Sequence, residues 1–103
     1  MRQASRLHYD KNYQKVEVEI RNGLYQVEEA IMGYLSSSQA VSLAEQAREQ
    51  AADKLVFGRI APLEYRDSVN LLFQARNQNN RASFDLIAAY YQLRYATGLD
   101  ATN

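Results

Sequence analysis

Small side chains recur every seven residues along two long stretches of this chain, and that spacing restricts what it can fold into. Ser68, Ala75, Ala82, Ala89 and Ala96 form one file, and Gly23, Ala30, Ser37, Ala44, Ala51 and Gly58 form another. Seven residues approximate two turns of α-helix, so each file falls on one side of a helix. A side chain of one carbon or none lets a neighbouring backbone approach closer than a layer of Leu would allow. A third file, Gly33, Ala40 and Ala47, puts small residues on a further face of the first stretch. The pattern predicts closely packed helices, the first of them contacted on two sides, as in a wall of helices.

Punctuation divides the pattern once. Pro62 is the only proline, and it follows Gly58 within Phe57-Gly58-Arg59-Ile60-Ala61-Pro62. Glycine supplies the left-handed residue that closes a helix, and proline suits the first position of the next one. The stretches on either side are rich in Ala, Leu, Gln, Glu and Arg, all good helix formers. The expected fold is all-α: an antiparallel hairpin with helices over about 12–57 and 62–97 and a turn at 58–61, the arms roughly 70 and 55 Å long. Gly98 is expected to close the second helix. Val16-Glu17-Val18-Glu19-Ile20 alternates as a strand would, but it has no partner strand and the helical pattern runs through it.

On the second helix, Tyr65, Val69, Leu72, Arg76, Asn79, Ser83, Leu86, Tyr90, Leu93 and Thr97 step by four and three, the spacing of a coiled-coil seam, apolar at its ends and polar in the middle. A two-helix hairpin covers one face of each helix. Leu72, Leu86, Tyr90 and Leu93 are therefore expected to need further cover, which predicts self-association, most simply as a two-fold dimer forming a four-helix bundle. Eight tyrosines are many for 103 residues, and Tyr90, Tyr91 and Tyr95 cluster. Tyrosine suits interfaces and the membrane–water boundary, and ordinary amphipathic packing explains it equally well.

Candidate chemistry is sparse. Twelve basic and twelve acidic residues give zero formal charge, so there is no electrostatic footprint for nucleic acid. There is no cysteine, and the single histidine, His8, has only Asp10 near it, short of the three or four ligands a metal needs. Glu28-Glu29 and the group Glu45, Glu49, Asp53 read as a solvated face, with Lys15–Glu19, Glu17–Arg21 and Glu45–Arg48 as weak helical pairs. No Glu-x-x-His pair, phosphate loop or nucleophile–base set is present, so no catalytic residue, metal or cofactor is expected. Met1–Lys11 lacks the apolar core of a signal peptide, and no apolar run reaches the length of a membrane-spanning helix.

The run Ala51-Ala52-Asp53-Lys54-Leu55-Val56-Phe57-Gly58-Arg59-Ile60-Ala61-Pro62-Leu63-Glu64-Tyr65 resembles the hairpin tip of the outer membrane efflux proteins, the TolC-like channels. Phe84-Asp85-Leu86-Ile87-Ala88-Ala89-Tyr90-Tyr91-Gln92-Leu93, followed by Gly98, is similar to that family's closing pattern. Arg21-Asn22-Gly23-Leu24-Tyr25 is similar to the start of its second hairpin. The resemblance covers roughly residues 12–98. It departs at Ala61, where the family usually has Ser or Thr, and the first repeat and the membrane-crossing strands have no counterpart here. What it implies is a non-catalytic periplasmic hairpin of a trimeric export channel for drugs, toxins or metals. Its tip, Gly58, Arg59, Ile60 and Ala61, would meet a periplasmic adaptor protein, and Glu64 would hold neighbouring tips together at the closed entrance. Two other readings stay open: the coiled-coil hairpin of the adaptor itself, and a soluble dimeric helical scaffold or regulator.

Overall fold

The computed structural model describes residues 2–102, with side chains described for 14–98. It consists of two helices, α1 (Arg2–Val56) and α2 (Pro62–Thr102), and no strand among the described residues. They lie antiparallel in a rod 84 Å long and 17 × 15 Å across. α1 begins at Arg2, about ten residues before the expected start. α2 runs through Gly98 to Thr102 instead of closing there, and the left-handed conformation that would have ended it occurs only at Gly58.

The register follows from two contacts. A Cβ added to Gly23 would stand 3.1 Å from Leu93 Cδ1 and 3.6 Å from Leu93 Cα and Cβ. The amide nitrogen of Asn79 donates to Ser37 Oγ at 3.0 Å. Ser37 lies two heptads after Gly23, and Asn79 two heptads before Leu93, so one register holds along the hairpin. It sets Gly23, Ala30, Ser37, Ala44 and Ala51 opposite Leu93, Leu86, Asn79, Leu72 and Tyr65. It sets Ile20, Val27, Tyr34, Val41 and Arg48 opposite Ala96, Ala89, Ala82, Ala75 and Ser68. Every layer thus pairs a small side chain with a larger one, and the large member alternates between helices. Burial follows this ladder: Leu72 is 4% exposed and Ala89 7%, with Gly23 and Ala96 also buried.

This arrangement corrects the expected seam. The α2 seam uses the small file Ser68–Ala75–Ala82–Ala89–Ala96 in place of Val69–Arg76–Ser83–Tyr90–Thr97, and Arg76, Tyr90 and Thr97 are exposed. Both files are compatible with steps of three and four. The small one wins because it alone leaves room for the large residues of α1. For the same reason, Gly23 to Ala51 form the face of α1 that meets α2, not a second contact face. Leu72, Leu86 and Leu93 find their cover inside the hairpin, while Gly33, Ala40 and Ala47 stay exposed.

Polar contacts reinforce the register. Asn79 also donates to Ser38 Oγ at 2.9 Å, and the Ser37 hydroxyl donates to the Tyr34 carbonyl at 2.9 Å. Glu45 pairs with Arg76 across the helices at 3.4 Å, not with Arg48 as expected. Arg48 occupies the seam, its Nε buried without a hydrogen-bond partner. Of the expected helical pairs among the described residues, Glu17–Arg21 forms, at 3.8 Å.

An added methylene layer has no space in such a seam, and overpacking costs typically about 1–3 kcal/mol. Ala89→Leu should therefore lower the midpoint of thermal unfolding, followed by the helical circular-dichroism signal, whereas Ala88→Leu, on the exposed neighbour, should leave it nearly unchanged. Equal midpoints for the two variants would contradict the assigned seam.

Candidate functional site

The turn between the helices is built by backbone hydrogen bonds. Gly58, with φ +66°, donates to the Leu55 carbonyl at 3.0 Å, and Arg59 donates to the Lys54 carbonyl at 2.8 Å. This reciprocal pair is the Schellman closure of a helix, with Gly58 in the left-handed position that a Cβ would strain. A direct bond from Phe57 to the Asp53 carbonyl, 3.2 Å, completes the last turn of α1.

α2 starts without a side-chain cap. The Ala61 carbonyl accepts from Glu64 at 3.0 Å and from Tyr65 at 3.3 Å, which makes Ala61 the N-cap although it has no side-chain acceptor. Pro62 follows at the first helical position, where its missing N–H costs nothing. Glu64 lies exposed in the first turn, where a carboxylate interacts favourably with the positive end of the helix.

The fixed turn presents an apolar tip. Val56 is 81% exposed and Phe57 74%, with Leu63 close behind, while Ile60 is half-buried. The Arg59 guanidinium carbon sits 5.8 Å from the centre of the Phe57 ring, a cation–π arrangement that folds the charge onto the aromatic face. The tip residues singled out from sequence are all here: Gly58 shapes the turn, Arg59, Ala61 and Glu64 face solvent, and Ile60 tucks under. Sequence reading passed over Val56, Phe57 and Leu63. The signal was available, since Leu55 is the last seam position of α1 and two large apolar residues follow it with nothing to cover them.

One further concavity lies between the helices about midway along the rod. It is an open groove of about 420 Å³ lined by small residues, Ala30, Gly33, Ala82, Ala88 and Ala89, with Gln26, Glu29, Asp85 and Gln92 at its rim. Small seam residues leave this space because no large side chain enters from that side. Its carboxylates do not converge: among the described residues, no group of three or more His, Cys, Asp or Glu could hold a metal ion. His8 and Asp10 lie outside the described side chains. Among the described residues, no helix is long and apolar enough to cross a membrane.

No protein family, curated protein or solved structure matches the chain. The geometry alone defines the class: an α-helical hairpin whose turn carries exposed apolar side chains.

The tip conformation is open to a direct test. Gly58→Val places a β-branched residue in the left-handed region, at a cost of about 1–3 kcal/mol. Urea unfolding should show that loss, and Gly58→Asn, which tolerates this region better, should lose less. Equal stability for Gly58→Val and the parent chain would contradict the assigned turn.

Proposed function

We propose that this chain is the periplasmic hairpin of a TolC-like outer-membrane efflux channel, acting by packing and docking rather than by catalysis. The observation that carries the reading is the amount of apolar surface left over once the two helices have satisfied each other. A compact protein of 11.8 kDa exposes roughly 5,900 Å², whereas this hairpin exposes 8666 Å². Much of the excess is large and apolar: Leu24, Tyr25, Met32 and Leu35 on α1, and Phe73, Phe84, Tyr91 and Tyr95 on α2, all more than a third exposed. A stave in a wall of helices has this character, one edge closed by its own hairpin partner and the outer faces awaiting sister subunits.

The tip supports the docking half of the proposal. Val56, Phe57 and Leu63 offer apolar contact area, and the Schellman turn defines the backbone that carries Val56 and Phe57, which lowers the backbone ordering cost of binding. In this reading, Arg59, Ile60 and Ala61 meet the hairpins of a periplasmic adaptor, and Glu64 makes the contacts between neighbouring tips that keep the entrance closed.

The test uses the chain within its native reading frame, in cells. A photo-crosslinking residue at Arg59 should capture a periplasmic adaptor, and Gly58→Val should abolish export while the trimer still assembles. Glu64→Ala should raise passive leak. Recovery of the protein from the cytoplasm, or wild-type export by Gly58→Val, would overturn the proposal.

A further inference from the structure

Arg48 is the one charged residue among the seam positions assigned above. It stands opposite Ser68, so its aliphatic stem is the large member of that layer. The guanidinium group gains no partner at its inner end, since its Nε is buried without a hydrogen bond. The neighbours that could engage it are turned elsewhere. Ser68 donates its hydroxyl proton to the Tyr65 carbonyl at 2.6 Å, and Glu45, one turn before Arg48, pairs with Arg76 at 3.4 Å. A buried donor left unsatisfied loses its water without gaining a partner. The Arg48–Ser68 layer therefore holds the helices together less firmly than the Ala44–Leu72 layer beside it.

That layer divides the hairpin unequally. On the side away from the turn lie the buried residues Gly23, Leu72, Ala89 and Ala96. The same side holds every polar contact between the helices among the described residues: Asn79 with Ser37 and Ser38, and Arg76 with Glu45. On the turn side, over residues 49–67, no side chain is fully buried. Ala51, Ala52, Leu55, Ile60 and Tyr65 are half-buried and the others exposed. The hydrogen bonds of the turn itself are local, from Phe57, Gly58 and Arg59 back to the end of α1 and from Glu64 and Tyr65 to Ala61. Segments with few buried apolar contacts open at a lower free energy than the whole molecule unfolds.

We propose that residues 49–67 open as a cooperative unit of their own, with the Arg48–Ser68 layer as its boundary. In the open state the seam stays closed from Ile20 to the Ala44–Leu72 layer, and the Arg48 guanidinium regains water. The turn joins the two arms of the segment, so they lose their contacts with each other together. Val56, Phe57 and Leu63 belong to this unit, which places the exposed apolar tip on the least stable part of the rod. This opening is a property of the chain alone and stands independently of the channel reading.

Amide hydrogen exchange on the full chain, followed residue by residue by NMR, tests it. In the parent chain the helical amides of residues 51–56 should share one opening free energy and be about tenfold or more less protected than those of residues 82–89. Two substitutions separate this opening from local fraying and from global unfolding. Arg48→Leu fills the layer with an apolar side chain and removes the orphaned donor, so it should slow exchange throughout residues 51–56 by about tenfold or more. Leu86→Val removes a methylene from a layer that stays closed in the open state. It should speed exchange over residues 82–89 severalfold and leave residues 51–56 unchanged. Exchange over residues 51–56 that Arg48→Leu fails to slow would overturn the proposal, because the opening would not break that layer. So would Leu86→Val speeding both segments alike, because the hairpin would then open only as a whole.

Discussion

In every layer of the seam a small side chain on one helix stands opposite a large one on the other, and the rest of the structure depends on that alternation. A Cβ at Gly23 would stand 3.1 Å from Leu93 Cδ1, so the Leu93 side chain fits as it does because Gly23 carries none. The same complementarity recurs at Ala89 beneath Val27 and at Ala44 beneath Leu72. Two consequences follow. The helices run close together, so the rod is only 17 × 15 Å across, and a small residue cannot be enlarged without displacing its partner. The register is also fixed, since a slip of one layer would place large on large and small on small.

Polar groups in the seam sharpen that register while adding little burial. Asn79 spends both amide protons on Ser37 and Ser38, and Ser37 in turn donates to its own helix, so the central layer is satisfied by partners that exist in one alignment. A polar seam residue of this kind specifies pairing at some expense in stability. Arg48, with its Nε buried and unpartnered, costs more and returns nothing visible inside the hairpin. With Leu72, Ala89 and Ala96 the only buried hydrophobic residues described, a two-helix rod has little core, and association is where further stabilisation is to be found.

The architecture was legible in the sequence because its signals are local. Gly58 and Pro62 mark a turn through backbone geometry, and the seven-residue files mark helices through periodicity. The assignment of faces was not legible. Val69, Arg76 and Tyr90 lie one position after Ser68, Ala75 and Ala89, and either file continues the alternation of four and three through Tyr65, Leu72 and Leu86. Hydrophobicity favours Tyr90 and Val69, whereas steric fit against Val27 and Tyr34 of α1 favours Ala89 and Ala82. That fit is a property of the pair of helices, which no reading of one helix contains. Gly98 misled for a related reason: a glycine ends a helix only when the chain adopts positive φ there, and α2 continues instead. The turn falls between Val56 and Pro62, where Gly58 and Pro62 mark it, while the exposure of Val56, Phe57 and Leu63 there is a property of the folded turn that local spacing does not contain.

The proposed role rests on surfaces that the seam leaves unused, and the proposed opening on a layer within it, so the register that assigns residues to both is the point on which everything turns. It can be tested without a partner, since the chain contains no cysteine. The Cβ position of Gly23 lies 3.6 Å from Leu93 Cβ, within the 3.5–4.5 Å that a disulfide spans. Gly23→Cys with Leu93→Cys should oxidise almost completely to an intramolecular disulfide under mild oxidant, while Gly23→Cys with Arg94→Cys, one residue out of register, should remain reduced. Efficient cross-linking of the second pair in place of the first would show that the helices are aligned differently and that the small-on-large seam is wrong.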